Sequence, residues 1–370
     1  MYWNLYIKKG QKERAYRYLD GAISKFSDNI DFQLKLWDIK IRMANDNNDS
    51  ELALKDAQAL IDNKDIADKD KDFAYFSKAF ELKKAGKYEE AIKILDFLIS
   101  FNSEEIPNSY VYYHKATILG AMEKYDEAID AFEIADNFYR KVYNEDPNEK
   151  PNELKLNYAK GYCYDSTKQY ALALRFYNKA IKNKEYSWYP YRGKIGILVG
   201  ACKPYLALKW CERAEKLYKK ELDNGYYGNK GMALYFIGDY KNAIKNLKKY
   251  PEYKEGKVLI AYCRYLLGDK EKSLKEIENI YNNEKLDVAL NCLSVIYTSK
   301  NEFEKALETC DKIQKQDADT DIIRAYIYKK MGDLSNSEKY LNSAIENDER
   351  KRTKEKLIKD FEYSSQVKFD

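Results

Sequence analysis

The residue types that could carry out chemistry are few and poorly placed for it. His114 is the one histidine among 370 residues, so a His-based metal site or a Ser-His-Asp triad within one chain lacks its material. Six cysteines, Cys163, Cys202, Cys211, Cys263, Cys292 and Cys310, form no C-x-x-C pair. They stand where small core residues belong on helices and read as buried free thiols in a reducing compartment. The glycines of "GYYGNKG", Gly225, Gly228 and Gly231, miss the G-x-G-x-x-G spacing of a dinucleotide loop, and no strand precedes them. P-loop, H-E-x-x-H and G-x-S-x-G patterns are absent. Carboxylates are plentiful but interleave with lysines, as solvated helix faces and i,i+4 pairs do. The expectation is a protein that is not an enzyme and needs no metal or cofactor, with His114 near a contact surface rather than acting as a base.

The elements that would position any site are helices. Six prolines and 15 glycines are spread over the whole chain, with Leu, Ala, Lys and Glu in quantity, which suits helices joined by short turns. The balance of 65 basic against 61 acidic residues leaves +4, too little to imply a polyanion partner. The first residues lack the basic, apolar and cleavable regions of a signal peptide. No window reaches the length of a membrane span, "IGILVGAC" being broken soon after by Lys203-Pro204. A cytoplasmic location with no membrane partner follows as the expectation.

The stretch "NKGMALYFIGDYKNAIKNLKKYP" is one copy of a recurring hairpin. Small residues open a second helix at Ala15, Ala53, Ala91, Ala128, Ala173, Ala207, Ala243, Ser273, Ala306 and Ser337, spaced 38, 38, 37, 45, 34, 36, 30, 33 and 31 residues apart. A period in the thirties marks a repeat array. Twelve residues before the anchor stands another small residue: Ala79, Ala116, Gly161, Gly231, Ala261, Ser294 and Ala325, with Gly196 one closer. An aromatic stands three before it in the clearest units (Tyr88, Tyr125, Tyr170, Tyr240, Phe303). Gly10, Gly86, Gly238, Gly268 and Gly332 stand five before it, where a left-handed residue ends a helix. Seven after it come Ala22, Ala135, Ala180, Ala214 and Ala344, on the same face two turns later.

This pattern of a small residue, a Tyr, an Ala and a later Ala resembles the tetratricopeptide repeat over nearly the whole chain. The units around Ala91, Ala128, Ala173 and Ala243 match best; those around Ala15, Ala53 and Ser273 lack the turn aromatic. The resemblance implies an all-α, right-handed superhelical solenoid of about ten helix-turn-helix hairpins with a C-terminal capping helix. The polar, proline-bearing stretch Asn137 to Glu153 reads as a helix to about Tyr143 followed by a linker. It sets expected boundaries at 1-147, 148-347 and 348-370. The segment Asn63 to Asp72 reads as a solvated turn. Leu357, Ile358 and Phe361 give the last helix one apolar face, as an end cap requires; its Arg350, Lys351 and Arg352 are diluted by Asp348, Glu349 and Glu355.

By that resemblance the first helix of each hairpin lines a concave groove, and fixed offsets from the anchor select its residues. They are Phe73, Phe76 and Phe80, then Tyr110 and Tyr113, then Lys155, Tyr158 and Tyr162, then Tyr235, Phe236, Tyr262, Tyr265 and Tyr326. Between them Pro190, Gly193, Gly200, Gly225 and Gly228 leave a bare wall, which reads as a saddle for close approach or as a locally flexible stretch. Aromatics give large contact area with few rotatable bonds, although some could pack between helices and the 36 tyrosines could reflect a compositional bias. The Lys, Asn and Arg clamp by which many relatives hold chaperone tails is missing at these offsets, where Phe76, Phe80, Tyr113 and Thr117 stand. The leading reading is therefore a non-catalytic scaffold or adaptor binding an apolar or aromatic peptide or helix of another protein. A single-stranded nucleic-acid binder and a ligand-sensing regulatory subunit remain the alternatives, and Lys155 is nearly the one basic residue in the predicted groove.

Overall fold

The structure, a computed structural model, describes residues 11–100, 107–145, 156–184, 188–348 and 352–369, and among these there are helices and no strand. The chain divides into two compact units, Met1–Ala180 and Ile181–Asp370. The expected boundary at 147/148 lies outside the described residues, as do Gly10, Lys155, Arg350 and Lys351.

Unit 1 begins, among the described residues, with α1 (Lys12–Lys25). It continues as α2 (Ile30–Asp46), α3 (Ser50–Ile61), α4 (Asp72–Lys84), α5 (Tyr88–Ser100), α6 (Asn108–Ala121), α7 (Tyr125–Glu145), α8 (Leu156–Ser166) and α9 (Tyr170–Lys182), which ends at the division. Unit 2 holds α10 (Tyr189–Gly200), α11 (Pro204–Tyr218), α12 (Asn224–Phe236), α13 (Tyr240–Leu247), α14 (Lys254–Leu266), α15 (Lys270–Glu284), α16 (Asp287–Ser299), α17 (Phe303–Asp311), α18 (Ala318–Met331), α19 (Leu334–Glu346) and α20 (Lys354–Ser365). Within each unit consecutive helices pack as antiparallel hairpins, and successive first helices lie side by side.

The anchors do what their size suggests. From Ala15 to Ala306 each is fully buried, and Ser337 is nearly so, because the second helix crosses its partner where no larger side chain fits. Gly161 shows how tight this is: a Cβ there would lie 2.7 Å from the Tyr177 ring, and one at Gly231 would lie 2.7 Å from Leu247.

The turns are more regular than their sequence. Gly86, Gly238, Gly268 and Gly332 have φ of 75°, 82°, 108° and 85°. The equivalent positions elsewhere, Asn48, Glu123, Lys168, Cys202 and Asn301, adopt φ of 55°, 62°, 59°, 49° and 61° without being glycine. In every one of these nine turns the next amide reaches back to the first helix, as in Lys87 N to Leu82 O at 2.9 Å and Gln169 N to Tyr164 O at 2.8 Å. That six-to-one bond closes a helix C-terminus on a left-handed residue, and its geometry holds units whose glycine is missing. Asp49, Asp239 and Asp333 then cap the second helix by accepting from Leu52, Asn242 and Asn336 amides.

Two expectations meet their outcome here. Helix α7 runs to Glu145, past Tyr143. The segment ending at Asp72 is a turn whose Lys64, Asp65, Ala67, Asp68, Lys69 and Asp70 are exposed, as expected, but Ile66, Lys71 and Asp72 are buried, and Lys71 Nζ donates to Ile61 O at 3.0 Å across a short 3-10 turn.

Candidate functional site

In unit 2 the face built by the first helices is occupied by the chain's own C-terminus. Helix α20 starts at Thr353, whose hydroxyl accepts from the Lys356 amide, and ends at Gln366 in the left-handed conformation. It covers the last hairpin as a cap would, packing on α18 and α19, and it also packs on α16. Leu357 and Phe361, four residues apart, are buried, and the Phe361 ring lies 5.2 Å from Tyr326 and 6.0 Å from Phe369, which closes the same cluster.

The last carbonyls of a helix have no partner within it, and groove tyrosines supply them. The Tyr235 hydroxyl donates to Ser364 O, and the Tyr262 hydroxyl donates to Ser365 O at 2.7 Å. Just beyond, the Tyr240 hydroxyl donates to Gln366 Oε1 at 2.8 Å and the Gln366 amide donates to Phe236 O at 3.4 Å. Burial raises the Tyr235 and Tyr262 phenols well above their ordinary value, so both remain neutral donors. At the other end of the helix Arg352 bonds Asp319 at 2.9 Å and Asp348 at 2.7 Å and lies 3.6 Å from Asp360. Lys356 pairs with Asp360 and donates to Ala201 O at 3.2 Å, in the turn after α10. A guanidinium enclosed by three carboxylates is a structural lock rather than a nucleic-acid contact.

The site residues expected from sequence divide sharply. Tyr235, Tyr262 and Tyr326 are buried beneath or beside α20 and its tail, and Tyr265 stacks on Tyr262. They are therefore not open groove surface, because α20 and its tail, 129 and 103 residues downstream of Tyr235 and Tyr262, already cover them. Gly228 is also buried, but a Cβ there would meet Tyr250 at 2.9 Å. The close approach expected from an outside partner is made by that tyrosine of the same chain. Gly193 is half-buried, and Gly200 has nothing within 4 Å of an added Cβ.

In unit 1 Phe73 is likewise core, packed with Ile41 and Leu60. Phe76, Phe80 and Tyr113 surround His114, with ring centres 5.0, 5.7 and 5.3 Å away. Burial, with the Lys83 ammonium adding to it, pushes the His114 imidazole down to about 4; it is neutral at pH 7 and half-buried among these rings. Tyr110 is half-buried, Tyr158 leans on Tyr177 at 6.1 Å, and Phe80 and Tyr162 remain 38% and 46% exposed.

Between α20 and the first helices of unit 2 lies a cavity of about 320 Å³. Val199, Met232, Phe236, Leu259, Val295, Ile322 and Phe361 give it apolar walls, and Glu255, Asn291, Asp319, Arg352 and Asp360 contribute polar groups. Cys292 lines it too, but burial pushes its thiol up to about 12, so it is no nucleophile at neutral pH. No group of three His, Cys, Asp or Glu placed to hold a metal occurs among the described residues.

A tetratricopeptide-repeat profile matches residues 109–135, 154–186, 225–254 and 322–351. These stretches are tetratricopeptide repeats. RapI in its apo form is similar in fold, with a TM-score of 0.57 and 14% identity, over 85% of this chain and 97% of that one. The apo quorum sensor NprR from B. thuringiensis matches with a TM-score of 0.52 and 13% identity, over 93% of this chain and 96% of that one. A tetratricopeptide repeat protein from Parabacteroides merdae follows at 0.48 and 16%, over 75% and 95%. Comparison with curated proteins gave no match. No helix among the described residues is long and apolar enough to cross a membrane.

Sequence reasoning missed the far end of this arrangement. Ser364, Ser365, Gln366 and Phe369 carry no repeat signal, and what marks them is a second apolar pair, Val367 and Phe369, continuing past the helix that Leu357 and Phe361 begin.

Proposed function

We propose that the chain is a non-catalytic protein-interaction scaffold whose first-helix faces take up helical or extended apolar segments. Helix α20 is the example that supports this reading: it places Leu357 and Phe361 against the face and offers its last carbonyls to Tyr235 and Tyr262. A partner for unit 2 would share that chemistry, with two large apolar residues four apart and a final turn whose carbonyls face the tyrosines. Such a segment has the form of helix-in-groove recognition, in which i and i+4 anchors enter an apolar face. In unit 1 the exposed Phe80 and Tyr162 offer contact area of the same kind. That none of the six cysteines is in a disulfide agrees with a reducing, cytoplasmic setting.

The test is binding in trans of a labelled peptide with the sequence of residues 352–369. The full chain carrying Phe361→Asp, checked for native helicity, should bind it about tenfold or more tightly than the wild-type chain does. A folded variant that does not bind the peptide contradicts the reading.

A further inference from the structure

We propose that the cavity between α20 and the first helices of unit 2 is a binding site for a small primary amine with an apolar body. Its volume, about 320 Å³, lies within the range of about 300 to 1,000 Å³ found for small-molecule sites. Most of its lining is aliphatic or aromatic, which suits a ligand body that leaves water. Three of its charged lining groups are carboxylates, Glu255, Asp319 and Asp360, and one is a guanidinium, Arg352. Arg352 already engages Asp319 and Asp348, and Asp360 is paired with Lys356. Glu255 is exposed at the first turn of α14 and forms no ion pair among the described residues. On the wall, Asn291 Oδ1 is buried and accepts no hydrogen bond.

A buried acceptor without a donor destabilises the state that holds it, and an N–H from a ligand would remove that cost. A negatively charged mouth favours the ligand that brings its donor on a cation and disfavours a carboxylate of the same shape. The site stands apart from the scaffold reading, since it needs α20 in place rather than displaced: Phe361, Ser364 and Ser365 form part of its wall. Occupation therefore holds the helix against the face.

The experiment is calorimetric titration of the full chain with 2-phenylethylamine, 2-phenylethanol and phenylacetate. The amine should bind about tenfold more tightly than the acid, with the alcohol between. Glu255→Gln, an exposed change, should narrow the gap between amine and alcohol. Val288→Phe, which enters the cavity from a half-buried position, should abolish amine binding while leaving the melting temperature unchanged or higher. Equal affinity for amine and acid, amine binding unaffected by Val288→Phe, or no binding by any of the three probes overturns the assignment.

Discussion

Tyr162 in unit 1 and Tyr262 in unit 2 occupy the same position of their repeats, eleven residues before Ala173 and Ser273. Tyr162 is 46% exposed and Tyr262 is 2% exposed. Phe80 and Tyr326 repeat the contrast, at 38% against 4%. The hairpins that present these rings are built alike, down to the left-handed turn and its six-to-one bond. What differs is the occupant: in unit 2 the face is filled by α20 and the residues after it, and no described helix fills the corresponding face of unit 1. Repeat position decides which way a side chain points, and a segment far along the chain decides whether it meets solvent.

The cores differ in the same sense. In unit 2 one continuous cluster runs from Trp188 to Phe369 and takes in Leu357 and Phe361. In unit 1 the described core includes distinct groups around Leu95, Leu60 and Leu19, the last two sharing the half-buried Trp37. A C-terminal helix that touches several hairpins ties their cores together, whereas hairpins that touch only neighbours remain nearly independent.

The largest effect should come from Phe361→Asp. Losing a buried aromatic costs about 3–5 kcal/mol, and placing a charge there adds to it. Urea unfolding should show a loss of that size in unit 2, with hydrogen exchange in Asp72–Lys84 of unit 1 unchanged; equal loosening of both units would break the contrast.

Next is a pH dependence confined to unit 1, which holds the single histidine. His114 takes up a proton near 6.5 when unfolded and only at about 4 when folded, so the unfolded chain binds more protons in between. Stability therefore falls as pH drops from about 6.5 towards 4, by a total on the order of 3 kcal/mol. His114→Phe should remove this slope in unit 1, and an unaltered slope in the variant would assign it to other groups.

A smaller effect, about 1–3 kcal/mol, is expected for Gly161→Ala, where the new Cβ meets Tyr177 at 2.7 Å. Denaturant unfolding measures it, and a neutral result would mean that the Tyr177 ring moves freely aside. The smallest is Tyr262→Phe, which removes the hydroxyl from Ser365 O and should cost about 1 kcal/mol. The same change at Tyr162, exposed in unit 1, should be silent by the same measurement.

The sequence made the hairpins legible because each contains local marks: a small residue at a helix crossing, a turn, and a period. It revealed the left-handed turns only where glycine stands, since Glu123, Lys168 and Cys202 adopt the same φ under the constraint of the back-reaching amide. It pointed to aromatic residues on the first helices but could not show which were covered. Tyr262 and Ser365 lie 103 residues apart, and no periodicity relates them. Gly228 looked bare for a similar reason, because Tyr250, which fills it, belongs to the loop after the hairpin rather than to the repeat.

The most direct test of the contrast between the units is hydrogen–deuterium exchange on the intact chain, comparing wild type with Phe361→Asp. The account predicts slow exchange across Lys354–Ser365 in the wild type, and faster exchange in the variant in Asn224–Phe236 and Lys254–Leu266 but not in Asp72–Lys84. Unprotected amides throughout Lys354–Ser365 in the wild type would mean that the face of unit 2 is as open as that of unit 1, and would contradict it.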